Sequence, residues 1–367
     1  YAMAEKVLAQ RPGDLRSMAN RALAADFLGR LAIRRHDYVA ATDHAARSAL
    51  AGENYVRFNP SDLNSWVYWI RGKDQVAAVL MEQGHIADAL EAQRATVALD
   101  EDARKPTSLA PMIWSNWGAL IVNEARAGDF AAAEKLMTPG VAAVRAAAAL
   151  EAEGSPRRAL FELAIAGVQA RVDLAKANNQ AAFDLAMQSA DRLRKLDVAT
   201  AEPGGAVRDA AAFRANVLRN MLSTASVAAI RTGRYGEAEA AARERHGLPP
   251  NPFSELDPQD EKSRAQVTLA HAIALQGRAA EALQITTPEL ARYRDEQKVG
   301  AGGLSFTKDI SYALFVDALA RPAGDPVRAA RLAEAMKQLD SLSVEAKGLL
   351  DIRELRRWIA SAQSGAA

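Results

Sequence analysis

Catalysis in this chain would have to come from its histidines, its paired carboxylates or its glycine-rich stretch, and none of them has the spacing such chemistry needs. The five histidines, His36, His44, His85, His246 and His271, are scattered. Only His36 and His44 could share a helix face, and a zinc site would need further ligands that their neighbours do not offer. Gly300-Ala301-Gly302-Gly303 is followed by neither the lysine nor the helical pattern of a phosphate loop, and no His-Glu-x-x-His or Gly-x-Ser-x-Gly occurs. The chain contains no cysteine, hence no thiolate ligand or nucleophile and no disulfide. Acidic pairs such as Glu237/Glu239 and Glu255/Asp257 read as solvated helix faces, since a catalytic pair needs burial to split its pKa values. The expectation is a protein that is not an enzyme and carries no metal or cofactor.

What remains is recognition. Two tryptophan pairs, Trp66/Trp69 and Trp114/Trp117, stand 48 residues apart. Each could be a ligand-stacking box or the seam of two packed helices. On a helix, Trp114, Trp117, Ile121 and Glu124 run down one stripe, so Trp117 is expected in a core and Trp114 at its rim. Trp66 and Trp69 should repeat that arrangement, which leaves Trp66 and Trp114 as the rings open to a partner. Basic and acidic residues nearly cancel, 46 against 45, which disfavours a broad surface for nucleic acid. No apolar run reaches the ~18 residues of a membrane helix.

The elements that must position these residues announce themselves by a recurring break. A small or turn-forming pair, then a bulky residue, then an alanine-centred stretch begin at 36, 84, 128, 178, 233, 277 and 324, at intervals of 48, 44, 50, 55, 44 and 47 residues. Gly or Asn supplies the positive φ that closes a helix, and Asp or Asn caps the next. Five or six positions into each unit stands an alanine in most copies: Ala41, Ala89, Ala133, Ala238, Ala282 and Ala329. Pro-, Gly- and acid-rich connections alternate with these tight turns, the longest being Gly247–Asp260, expected to be an extended surface segment anchored by Phe253. Period-two alternation is absent, so the plan is helix, tight turn, helix, loop, repeated about seven times.

These hairpins resemble tetratricopeptide (TPR) repeats. Leu28-Gly29, Asp37-Tyr38 and Ala41 match the family's pattern in the first unit, and Trp117, Leu120, Gly128, Phe130 and Ala133 in the third. Gly233, Tyr235, Ala238 and Pro250 match in the fifth, and Leu269-Ala270, Gly277 and Ala282 in the sixth. The family's repeat is about 34 residues, shorter than the spacing here; Lys73 stands where the second unit should carry its Trp, and the fourth unit lacks the alanine. The resemblance implies an all-α, right-handed α-α superhelix of about seven antiparallel hairpins over residues 1–367, with possible sub-blocks 1–152 and 156–367. The chain opens inside a helix whose Met3, Val7 and Leu8 should pack on one side only, and is read as the C-terminal fragment of a longer protein.

The same resemblance places the first helix of every hairpin on a concave groove. Arg30, Arg34, Arg71, Asp74, Arg126, Asn220, Arg231, Arg264 and His271 would line it, with Asp26, Ser115 and Ser223, and its arginines could fork onto carboxylates. The Lys–Asn pair by which some family members clamp a terminal carboxylate is missing; the corresponding places hold Asp26/Arg30, Asp74/Ala78, Gly118/Val122, Ser223/Val227 and Val267/His271. The expected function is a protein- or peptide-binding scaffold or regulatory module of a larger bacterial signalling protein. The alternative is a small-ligand sensor with a pocket near the Trp pairs.

Overall fold

The computed structural model describes residues 1–106, 110–198, 210–250 and 258–365, and for 110–114 the backbone alone. Every regular element among them is helical, in the order α1 (Ala2–Gln10), α2 (Leu15–Arg34), α3 (Tyr38–Phe58), α4 (Leu63–Glu82), α5 (Ile86–Val97), α6 (Ala110–Ala127), α7 (Phe130–Ala148), α8 (Pro156–Ala175) and α9 (Asn179–Lys195). There follow α10 (Ala210–Arg231), α11 (Tyr235–Gly247), α12 (Pro258–Leu275), α13 (Ala279–Lys298), α14 (Gly303–Leu319), α15 (Pro326–Asp340), α16 (Val344–Gly348) and α17 (Leu350–Gln363). A 3₁₀ turn spans Ala98–Glu101. From α1 to α15 each helix packs on the next, α17 packs on both α15 and α16, and first helices of successive pairs also meet: α2 with α4, α6 with α8, α8 with α10, α12 with α14.

The tight turns share one hydrogen-bonded form. A residue at positive φ ends the first helix at His36, Gly84, Gly128, Ala177, Gly233 and Gly277. The next residue's N–H then reaches back to the carbonyls of Ala32, Leu80, Glu124, Asp173, Ala229 and Ile273 respectively. This is the Schellman closure, which satisfies carbonyls the helix end would otherwise leave bare. Asp37 and Asp129 cap the following helix by accepting from Ala40 and Ala132. In the fourth unit the turn lies one residue earlier than its asparagines suggest, at Ala177, so its interval shifts and Ala182 becomes the missing alanine. All of Ala41, Ala89, Ala133, Ala182, Ala238 and Ala282 are wholly buried five residues after the turn, where two helices touch. Ala329 is exposed instead, because the turn before Pro326 lacks the positive-φ closure and starts its helix in another register.

Elsewhere helices approach so closely that only glycine fits. A Cβ on Gly52 would stand 2.4 Å from the Trp69 backbone N, and one on Gly72 would stand 2.3 Å from that of Ala49. α3 and α4 therefore cross backbone to backbone. At the N-terminal edge Leu8 packs with Met18 and Tyr55, whereas Met3 is exposed. Trp117 is buried and its indole donates to Asp100 at 3.4 Å. The other pair reverses the expected order: Trp66 is fully buried with its N–H on the Pro60 carbonyl at 2.8 Å, and Trp69 is the partly exposed ring. The Asn59–Asp62 turn folds back over the start of α4 and covers the first indole. The Trp114 side chain, Phe253 and the pair Glu255/Asp257 lie outside what the structure describes.

A candidate partner-binding face

The chain closes on itself. The tight turns of the first two hairpins are joined to segments more than 200 residues away: Tyr38 Oη donates to the Gly302 carbonyl at 3.1 Å, and Ser343 Oγ to that of Gly84 at 2.7 Å. Glu82 accepts from the Ser305 N–H at 2.9 Å, setting an anion on the positive first turn of α14. His85 gives α5 no side-chain cap; Glu345 supplies one across the closure, accepting from Ala87 N at 2.9 Å. As a result α4 touches α14, α5 touches α16 and α6 touches α17. A polar cleft of about 450 Å³ runs along this closure, with Gln83, Gln297, Gln338 and Ser341 in its walls.

One face of α17 meets the first helices directly. Asp351, Glu354 and Trp358 are spaced three and four residues apart, so they share a side of the helix. Asp351 accepts from Arg126 at 3.1 Å and from Lys308 Nζ at 3.1 Å. Burial alone would raise its pKa, but the charges of Arg126 and Lys308 outweigh that and hold it well below the usual carboxylate range. Glu354 pairs with Arg231, whose other nitrogen donates to the Leu174 carbonyl at 2.7 Å and to Asn179. Trp358 stacks at 6.0 Å on Phe315 and stands edge-on to His271 at 5.5 Å. His271, with Tyr312 Oη 2.8 Å from its Nδ1, is buried, and desolvation pushes its pKa down to about 3. It is a neutral core residue here, with no open surface to offer.

The remaining expected groove residues fall into separate groups. Arg30 and Arg71 converge on Asp26, at 2.6 and 3.9 Å; that carboxylate is fully buried and also accepts from Gln75 at 2.7 Å. Arg34 and Arg264 line one small cavity of about 40 Å³ with Tyr38, Glu82 and Asp309, where Arg264 is bound to Asp309 at 2.6 Å. Asn220 is exposed on α10. Asp74, half-buried on α4 and without an ion-pair partner among the described residues, has its pKa pushed up to about 6 by desolvation. Trp66 is enclosed and presents no face for a ligand to stack on.

Sequence reasoning missed Lys308, Asp351, Glu354 and Arg171. Arg171, on α8, has no acidic partner among the described residues, and burial together with the nearby charge of Arg126 brings its pKa down to about 10. The signal for α17 was present in the spacing of its acids and its tryptophan; which helices it would meet was not. Among the described residues no group of histidines and carboxylates is placed to hold a metal ion, and no helix is long and apolar enough to cross a membrane.

No family model matches the sequence, and no curated protein does. Among solved structures, the crystal structure of the P58(IPK) TPR domain is similar at 14% identity, over 93% of this chain and 99% of that one, with a TM-score of 0.26. That superposition is too loose to bear on fold detail or function.

Proposed function

We propose that this chain is a non-catalytic helical-repeat module of tetratricopeptide type that binds a protein or peptide along the face of its first helices. It would serve as a scaffold or regulatory part of a larger signalling protein; the Ala- and Arg-rich composition accords with a bacterial source. The observation that carries this reading is the seating of α17. A short helix bearing two acids and one aromatic ring on one side is held by Arg126, Lys308 and Arg231, each from a different first helix. Arg171 adds a further cation beside Arg126 that α17 does not neutralise. Fixed guanidinium groups in a half-buried setting are suited to carboxylates because their donors form a planar fork and their charge persists at every relevant pH. The partner segment is accordingly one with acidic side chains a helical turn apart.

The reading is tested with a fluorescent synthetic peptide of residues 349–363. It is titrated into the full chain carrying Asp351→Asn and Glu354→Gln, whose own α17 then competes poorly for the face. Saturable binding that weakens in Arg126→Ala and in Arg231→Ala is the expected result. A peptide that does not bind, or binds equally to chains lacking those arginines, would exclude this face as the recognition surface.

A further inference from the structure

Arg171, on the side of α8 that faces α6, has no carboxylate partner among the described residues. The two helices meet where Gly118 lies against Val168; a Cβ on Gly118 would stand 3.1 Å from the Val168 side chain. Gly118, Val122 and Arg126 follow one another at i+4 on α6, and Val168 and Arg171 are three apart on α8. Both arginines therefore lie on the sides that meet. Arg171 is half-buried there, and the charge of Arg126 bears directly on it. The acids nearest to the pair in sequence are engaged elsewhere. Asp173, two residues on, faces another side of α8, where it accepts from Gln169 at 3.2 Å, and Glu124 is paired with Arg94 on α5.

Charge and burial define what would satisfy this pair. Arg126 shares the Asp351 carboxylate with Lys308, at 3.1 Å each, and also donates to Asn123 Oδ1 at 3.1 Å. Asn123 is fixed in turn by donating to Gln93 at 3.2 Å. Arg231 and Glu354 neutralise each other. Arg126, Lys308 and Arg171 thus stand as three cations with one carboxylate among them, and two positive charges are left over. Burial first, and the Arg126 charge second, bring the Arg171 pKa down to about 10, so it stays protonated at neutral pH. Like charges in a half-buried place repel more strongly than in water, and an ion withdrawn from water without a partner is costly. Both costs fall when one dianion bridges the two guanidinium groups. A phosphoryl group suits them, with a charge of about −2 and three acceptor oxygens for planar arginine forks. A single carboxylate would cancel only half of the excess.

We infer that Arg126 and Arg171 form a binding site for a dianionic phosphoryl group, either free phosphate or the phosphate monoester of a larger molecule. The site is complete with α17 seated, so it does not rest on a partner segment lying along the first helices. Arg231, which holds α17 through Glu354, takes no part in it.

The test is isothermal titration calorimetry of the full chain with inorganic phosphate, at pH 7.5 and constant ionic strength set with chloride. Saturable binding is expected. Arg171→Gln should lower the affinity about tenfold or more, and Arg171→Lys, which keeps the charge but not the fork, should lower it less. Asp351→Asn frees Arg126 and Lys308 from their own carboxylate and should raise it. Without phosphate, Arg171→Gln should keep or raise the Tm, since it removes a repulsion; a cation with a purely structural role would lower it on removal. Arg231→Ala, which should weaken binding of the peptide 349–363, should leave phosphate affinity within about twofold, so the two readings can fail separately. Phenyl phosphate binding more tightly than inorganic phosphate would place the phosphoryl group on a larger molecule, and the reverse order would make the free ion the ligand. No saturable binding, an affinity unchanged by Arg171→Gln, or a lowered Tm of that variant without phosphate would overturn the inference.

Discussion

At the residue scale, His271 shows how placement decides chemistry. On an open helix face it would titrate near its ordinary pKa of about 6.5. Enclosed by Tyr312, Phe315 and Trp358 it stays neutral down to about pH 3. Its folded pKa is therefore depressed. The stability this contributes is fully present above the unfolded value of about 6.5 and is lost as the pH falls toward the folded one. Between pH 7.5 and pH 5 this residue alone should cost about 2 kcal/mol, because the unfolded chain takes up a proton that the folded chain refuses. Urea unfolding at the two pH values, for the parent and for His271→Gln, isolates the effect as the difference of differences; an equal pH dependence in both chains would refute it. Trp117 makes the complementary case. Buried, with its N–H directed to Asp100, it should cost about 3–5 kcal/mol when truncated to Ala, as large core deletions do. Chemical denaturation of Trp117→Ala measures it, and a neutral result would return this ring to the role of a ligand platform.

At the element scale the crossing of α3 and α4 sets the geometry of the first two hairpins. Replacing a helical Gly by Ala ordinarily stabilises by about 1 kcal/mol. At Gly72 the new methyl would meet the Ala49 backbone, which cannot rotate away, so α3 and α4 must part. The expected net effect of Gly72→Ala is a loss of about 1–3 kcal/mol, the usual range for overpacking. Gly236, on α11, has open space where its Cβ would be, and Gly236→Ala should stabilise by about 0.5–1 kcal/mol. Opposite signs at two helical glycines, read from urea midpoints, test the contact rather than the propensity. Similar effects at both would show that backbone contact does not govern this crossing.

At the scale of the whole molecule, the array is joined end to start by few and mostly polar contacts. The pairs of Arg126 with Asp351 and Arg231 with Glu354 are partly solvated, with side chains 25/29% and 16/16% exposed. Hydrogen bonds to charged groups in such settings contribute about 1.5–3 kcal/mol each, less when solvent screens them. Asp351→Asn with Glu354→Gln should therefore loosen α17 without unfolding the stacked pairs α8–α12. Amide exchange in α17 is expected to speed by about 10–100-fold, since each 1.4 kcal/mol is a factor of ten, while exchange in α10 and α12 stays as it was. Unchanged exchange in α17 would mean that Trp358 and the apolar contacts alone hold it.

The helical plan of this protein was legible in the sequence because it rests on local rules. Glycines at positive φ, caps at Asp37 and Asp129, and an alanine five residues on are all written within a dozen residues of each turn. The fourth turn was misplaced by one because Ala177 adopts positive φ without the residue type that advertises it. Trp117 was readable as a seam from its helical stripe, but the roles of Trp66 and Trp69 depended on how the Asn59–Asp62 turn folded back. The candidate face was legible only in part. Its arginines could be assigned to first helices by register, but their partners lie 225 residues away for Arg126 and 123 for Arg231. No local propensity encodes a pairing across such distances; it follows from where the accumulated turns of many packed helices bring the chain's end, and only the tertiary structure decides that.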